Sequence, residues 1–388
     1  MASSNCALCD TPFTASNDSA EHVIASALGG TWTIKGFICK PCNDTTGQNW
    51  DAELAAQLNG LCHFFAIKRD RGAIPVETIT TTAGETFDML PDGGFALMRP
   101  TVEKTRVGAQ TQYHVVARNM NEARRILKGL KRKALNLDVE AELAKAKVET
   151  SYPQGLIKLP IEIGGVGAGR AIVKSAVALA HDSKLPVAAC DQALAYLRDK
   201  DAAPCFGYYQ SSDLMVARPR GVPLHCVAIS GNPVAGLLLG YVEYFGFHRA
   251  VILLSEAYSG LEVNRCYAID PTTGKELDLS VRLEFTRADM ADIFDYKHCD
   301  HKDTMRAASE VLGPGMERKR KREWDHAVKE AIRYGWDNCG AKPGEILTDE
   351  HRKKIAQLIK QKLRAYIANL HRPRPAPPGF TPETGFAG

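Results

Sequence analysis

The sequence predicts an α+β protein of several domains: a cysteine-stapled N-terminal unit, a central α+β region and a C-terminal basic helical appendage. Three observations carry this reading. Two Cys-x-x-Cys pairs, Cys6/Cys9 and Cys39/Cys42, open the chain. From Ile74 onward, short β-type runs and helical runs succeed one another, divided by glycine and proline turns. Beyond residue 300 the pattern is helical and rich in Lys and Arg. A length of 388 residues, 45% hydrophobic and 24% charged, allows several separate cores in an ordinary globular composition. The formal net charge of +4 is only mildly basic, so affinity for nucleic acid would have to come from local patches.

Each Cys-x-x-Cys pair can grip one side of a tetrahedral metal, because two intervening residues form a tight knuckle with both sulfurs turned inward. Cys6, Cys9, Cys39 and Cys42 are therefore expected to hold a structural Zn²⁺, closed to substrate. The remaining cysteines are scattered without paired spacing, the pattern of a reduced, cytoplasmic protein. The opening MASSNCALCD has neither a charged n-region nor an apolar h-region, so no export signal is expected. No apolar run reaches membrane-spanning length, which argues against a membrane partner. Any chemistry must lie beside the zinc, where Glu21, His22 and Asn43 stand.

The runs EHVIASALGG, ICKPCN and GQNWD resemble the Cys-x-x-Cys zinc-knuckle subfamily of the HNH (ββα-metal) endonucleases, with its Glu-His…Gly-Gly…Cys-x-x-Cys-Asn signature (HNH endonuclease 5-like). The likeness covers about the first sixty residues. It implies a hairpin whose first strand ends at the histidine, and a helix that begins at the second knuckle. It implies that Glu21 and Asn43 hold a catalytic Mg²⁺ or Mn²⁺, and that His22 activates water for attack on a DNA phosphodiester, RNA not being excluded. The chemistry agrees. Glu21 and Asn43 are hard oxygen ligands, and an imidazole is neutral near cellular pH and can take a proton. Neighbours on a strand point to opposite faces, so one can reach the metal and the other the water. Two departures stand out. The asparagine that orients the histidine in relatives has no counterpart between Val23 and Ile38, leaving Thr31, Thr33 or a backbone carbonyl for that task. Ala25 stands where relatives often carry proline. Asp51 is expected to cap or brace the helix rather than ligate. The competing reading is a non-catalytic zinc module that binds nucleic acid or a protein partner.

Beyond the second knuckle, Leu54, Leu58, Leu61 and Phe65 recur at helical spacing, with Trp50 packing on the zinc core. This closes a nuclease domain over residues 1–66. Lys68, Arg69 and Arg71 form a basic cluster beside it, placed to meet phosphates. Residues 67–150 read as a small antiparallel sheet and then a basic amphipathic helix carrying Arg124, Arg125, Lys128, Lys131 and Arg132. Residues 151–300 read as an α+β domain for target recognition or sensing. Its glycines Gly164, Gly165, Gly167 and Gly169 lack the full Gly-x-Gly-x-x-Gly of a dinucleotide site and are read as the start of a packed helix, where Arg170 and Lys174 could meet a phosphate. Residues 301–371 read as basic helices, the first opening after Gly-Pro-Gly with Arg318, Lys319 and Arg320, the second starting at Thr348 with an imperfect capping box. A proline-rich tail over 372–388 reads as disordered. Double-strand cutting would require a homodimer or two successive events. A nuclease with a sensing domain would suit restriction, phage defence or a mobile element.

Overall fold

The computed structural model describes residues 5–91, 93–108, 110–132, 136–147, 152–158, 164–342 and 344–373, so most of the proline-rich tail lies outside the described residues. The chain gathers into two compact units, each built from two separated stretches: Met1–Pro75 with Pro160–Lys319, and Val76–Leu159 with Arg320–Gly388. These units do not match the sequential division expected at residues 66, 150, 300 and 371. The reason is the helix Val166–Asp182, in which every residue from Gly167 to Ala180 is buried. A helix that is buried all round must be covered on all sides. One side is supplied by the N-terminal segment and another by a large sheet, so both are drawn into a single core.

That sheet has six antiparallel strands in the order Lys275–Leu277, Val263–Asp270, His225–Asn232, Leu237–Tyr244, His248–Ser255 and Phe206–Tyr208. The period of two divides its faces. Val227, Ile229, Val242 and Ile252 share a core with the buried helix and with Phe37, Ile38, Leu54 and Leu58 of the N-terminal segment. Cys226, Ala228, Tyr241 and Val251 point the other way, into a second cluster with Leu214, Met215, Met290 and Ile293. The glycine run before the helix acts as a helix start: Gly165 sits at the N-cap with φ of +89°, a conformation that costs glycine little. Gln57 bonds both the N–H and the C=O of Gly164.

The second unit holds a four-stranded sheet (Phe95–Leu97, Thr86–Met89, Glu77–Thr81 and Ile157–Lys158) and a separate hairpin, Thr101–Val107 with Gln110–Val116. The helix Met120–Lys131 is capped by the Asn119 side chain, which accepts from Glu122 N–H. The helix Asp349–Leu370 packs through Tyr366, which meets Trp324 and Tyr152. Of its expected apolar stripe, Ile355, Leu358, Ile359 and Leu363 are half-buried, while Ile367 and Leu370 are exposed. Its capping box is closed by His351 rather than Glu350: His351 N–H donates to Thr348 Oγ1 and the ring Nδ1 accepts from Thr348 N–H.

Gly-Pro-Gly does not break the chain. One helix runs from His301 to Asn338 with Pro314 inside it. Proline in a helix interior costs about 3 kcal/mol, and tertiary burial of Ala307, Ala308 and Val311 offsets it.

One buried histidine ties this fold to pH. His225 donates from Nε2 to Leu28 O at 2.9 Å and accepts at Nδ1 from Phe245 N–H at 3.1 Å, and the second of these bonds needs the neutral ring. Burial pushes its pKa down to about 3 despite the bond to Leu28, and burial holds His248 at about 4. Below about pH 6.5 the unfolded chain takes up protons that the folded chain refuses, so stability falls as pH falls, by about 1.4 kcal/mol per pH unit for each such histidine. The urea midpoint at pH 5 is expected to lie below that at pH 7, and the gap should narrow in His225→Gln. An unchanged gap in the variant would contradict this assignment.

Candidate functional site

The N-terminal segment begins with the cysteines. Their four Sγ atoms lie within 4.8 Å of one another, and Cys9 Sγ is 3.6 Å from Cys39 Sγ. A Zn²⁺ with four thiolates at about 2.3 Å has sulfur–sulfur edges of roughly 3.8 Å, so the cage fits zinc. Cys39 N–H donates to Cys6 Sγ at 3.3 Å, locking one knuckle on the other. Cys6 and Cys39 are buried, Cys42 is half-buried and Cys9 is exposed.

Between the knuckles the chain forms a two-residue hairpin, Glu21–His22 against Thr33–Ile34. Its far end is closed by a tight loop in which Gly30 is indispensable: a Cβ there would come within 1.8 Å of Ile24 O. The helix Lys40–Thr46 starts at Cys39, with Pro41 in its first turn, and completes the ββα arrangement. Asn43 Nδ2 donates to Ala20 O at 3.1 Å and Ser19 Oγ at 3.0 Å, pinning that helix to the strand. The helical run continues through a π-helical turn, Gly47–Asp51, into Ala52–Phe65, whose Leu54, Leu58, Leu61 and Phe65 are buried as their spacing predicts.

The strand turns Glu21 inward and His22 outward. Glu21 is 3% exposed. Lys174 Nζ, from the buried helix, donates to Glu21 Oε1 at 2.5 Å and to Asp51 Oδ2 at 2.6 Å. Asp51 thus braces the site through an ion pair rather than as a cap, since its side chain makes no capping bond. The π-helical turn re-aims it there; such a turn adds one residue and rotates the helix beyond it. Burial opposes the Lys174 charge, but Asp51 and Glu21 outweigh it and hold the ammonium charged. Burial likewise pushes the Glu21 carboxyl up against the pull of Lys174.

This geometry does not fit the cation site that the sequence implied. A carboxylate already held by an ammonium is not an open ligand. At about 4 Å and an effective dielectric of about 20, each unit of like charge costs about 4 kcal/mol, and a divalent ion beside Lys174 would double that. Nor can Lys174 or Arg170 meet a phosphate. Lys174 is 2% exposed, and Arg170 is buried with its guanidinium on Tyr196 O and Asp199 O, over the ring of Trp50.

His22, by contrast, is partly open, and its ring has an unexpected partner. His22 Nε2 lies 3.3 Å from Asp70 Oδ2. Asp70 therefore stands where Thr31 or Thr33 was expected to orient the ring. Burial lowers the His22 pKa, against the pull of Asp70, so the imidazole is neutral at pH 7. With Nε2–H turned to Asp70, Nδ1 keeps its lone pair.

Asp70 sits within the basic cluster. Lys68 is exposed, and Arg71, 82% exposed, lies 3.8 Å from Asp70, while Arg69 is held by Ala73 O at 2.7 Å. Arg318, also in the first unit, donates to Gly221 O at 2.5 Å, and Lys319 is half-buried. The other basic candidates belong to the second unit. There Arg124 is paired with Glu140 through two bonds of 3.0 Å and Arg125 lies 3.5 Å from Glu122, while Lys128, Lys131, Arg132 and Arg320 are exposed. The turn before His301 holds no metal cluster; among the described residues, the four knuckle cysteines form the one such group.

With this geometry in place, the HNH endonuclease family model matches residues 6–59, from the first knuckle cysteine into the helix that carries Leu54 and Leu58. The N-terminal segment is therefore HNH-endonuclease-like, and its cysteine cluster is consistent with a zinc knuckle. No curated protein and no solved structure matches the chain. Among the described residues, no helix is long and apolar enough to cross a membrane.

Proposed function

We propose that this chain is an HNH-type endonuclease that hydrolyses DNA phosphodiester bonds, with His22 as general base. The observation that supports this most is the His22–Asp70 pair, whose histidine lies inside the segment that matches the family. A phosphodiester is anionic and resists attack, so hydrolysis needs a deprotonated water held in line and a positive field at the phosphate. His22 Nδ1 takes the proton of water, Asp70 holds the ring in the tautomer that allows it, and Lys68 and Arg71 draw the phosphate toward the pair. Asn43 and the zinc knuckle keep the strand against the helix, and so fix where His22 points.

HNH nucleases are metal-dependent, and Mg²⁺ or Mn²⁺ is the ion the resemblance names. In this chain Lys174 already holds Glu21, so no step is assigned to such an ion there. One HNH segment cuts one strand per encounter, so double-strand products call for two copies or two visits. The stretch Pro160–Lys319 packs with the nuclease segment in one unit, an arrangement suited to sensing or target recognition as in a defence effector.

The test is relaxation of supercoiled plasmid by wild type and His22→Ala, each with Mg²⁺, Mn²⁺ or EDTA and with zinc quantified. Cutting by wild type alone supports the nuclease; equal cutting by both would overturn His22 as base. Binding without cutting on any DNA or RNA would instead support a zinc-stapled binding module, the reading favoured by the closed state of Glu21. Within the nuclease reading, Asp70→Ala should lower kcat by roughly tenfold to a hundredfold, a share of the ~10²–10⁴ that a general base supplies. Its KM should change little, and Asp70→Asn, which still accepts from Nε2–H, should recover part of the loss. A KM effect with unchanged kcat would make Asp70 a binding residue instead.

A further inference from the structure

Lys174 is the most deeply buried charge near the candidate site, and no step of the proposed cleavage uses it. It lies in mid-helix among buried neighbours and is 2% exposed. Its ammonium meets two carboxylates drawn from distant parts of the chain, Glu21 on the hairpin and Asp51 on the π-helical turn. A buried carboxylate with a second, half-buried one beside it needs a cation, and a single ammonium leaves the cluster with at most one net negative charge. In the resemblance, Glu21 is the residue that meets a metal ion. Here the cation is covalently part of the chain.

We infer that the Lys174 ammonium is a built-in cation that occupies the Glu21–Asp51 pair and keeps a divalent metal ion from binding at Glu21 in the native chain. This rests on Glu21 standing at the family's metal position, and its test does not use cleavage, so it can fail while the nuclease reading stands, and the reverse. Three features of the geometry support it. Lys174 Nζ donates to one oxygen of each carboxylate, in contacts at the short end of charged hydrogen bonding. Asn43, the other expected ligand, has its amide fixed on Ser19 and Ala20. And Lys174 comes from a helix locked in the first unit's core, so a diffusing ion cannot simply push it into water.

The experiment is a Mn²⁺ titration of the zinc-loaded full chain, with free Mn²⁺ read by electron paramagnetic resonance. Wild type, Glu21→Gln, Lys174→Met and the Lys174→Met/Glu21→Gln double variant are compared. Wild type and Glu21→Gln are expected to be indistinguishable. Lys174→Met is expected to gain one site at least tenfold tighter than anything in wild type, and the double variant should lose it again. A Mn²⁺ site in wild type that Glu21→Gln abolishes would overturn the inference, as would a Lys174→Met protein that folds and gains no site. Removing Lys174 leaves the buried Glu21 and the half-buried Asp51 without their cation and can prevent folding. In that event the wild-type and Glu21→Gln pair decides: matching isotherms support a filled position, and a Glu21-dependent site refutes it.

Discussion

His22→Ala should retain the native fold and its zinc while losing phosphodiester cleavage by about 10²- to 10⁴-fold. Both halves of that expectation come from where the side chain lies. His22 is on the outward face of a two-residue strand, half-buried, with its ring on Asp70, an exposed carboxylate, and it is not one of the buried core residues. Truncation therefore removes one weak bond and some half-buried packing, about 1 kcal/mol as for a typical substitution. Its loss from the reaction is far larger, because a base held in place contributes two to four powers of ten, or about 3–5 kcal/mol of barrier. Thermal melting and zinc content of the variant should match wild type while plasmid relaxation disappears. Glu21→Ala provides the contrast. It would leave the Lys174 charge buried with one carboxylate instead of two, and so should lower stability by several kcal/mol before any effect on chemistry is read. Undiminished cutting by His22→Ala would transfer the chemistry elsewhere.

How legible each feature was in the sequence depends on the range over which its signal acts. The stripe Leu54, Leu58, Leu61 and Phe65 is a local periodic pattern, and all four side chains are buried. The strand runs around His225, Leu237, His248 and Val263 are legible too, as short apolar runs; the first three are buried almost throughout because both faces of the sheet are covered. Opposite facing of Glu21 and His22 needed only the pleat of a strand. Asp70 could not be found in this way. It is 48 residues from His22 in sequence, inside a stretch whose lysine and arginines read as a phosphate-facing surface. Lys174 is further still, 153 residues from Glu21, and it defies the usual rule that lysines stay in water. A signal did exist: a lone lysine within an otherwise small and apolar run, AIVKSAVALA, on a helix that reads as buried. Such a residue must have acidic partners, and the unused acid of the GQNWD run was one candidate. Pro314 erred in the other direction. A strong local breaker was overruled by Ala307, Ala308 and Val311, whose burial depends on packing that no short window contains.

The zinc cage should be the most sensitive element of the first unit, and its four ligands should not be equivalent. Cys39 is buried, is the N-cap residue of the knuckle helix, and its N–H bonds Cys6 Sγ. Cys9 is exposed at the edge of the cage. A structural zinc site is worth about 10–16 kcal/mol of apparent binding free energy, as much as the whole stability of a typical domain at about 5–15 kcal/mol. Because Cys6 and Cys39 belong to the same apolar cluster as Phe37, Ile38 and the buried helix, losing the metal exposes that cluster rather than a detached module. Cys39→Ser is therefore expected to lose its zinc and to release hydrogen-exchange protection across Glu21–Ile34 and into Val166–Asp182. In Cys9→Ser, three thiolates and a water can still complete a tetrahedron. That variant should keep zinc with weakened affinity and near-native protection. The ranking comes from burial alone: a thiolate at the rim can be replaced by solvent, and one inside the core cannot. Equal loss in both variants would show that the cage holds its metal as an all-or-none unit, and a zinc-free but fully protected Cys39→Ser would show that the core, not the metal, positions His22.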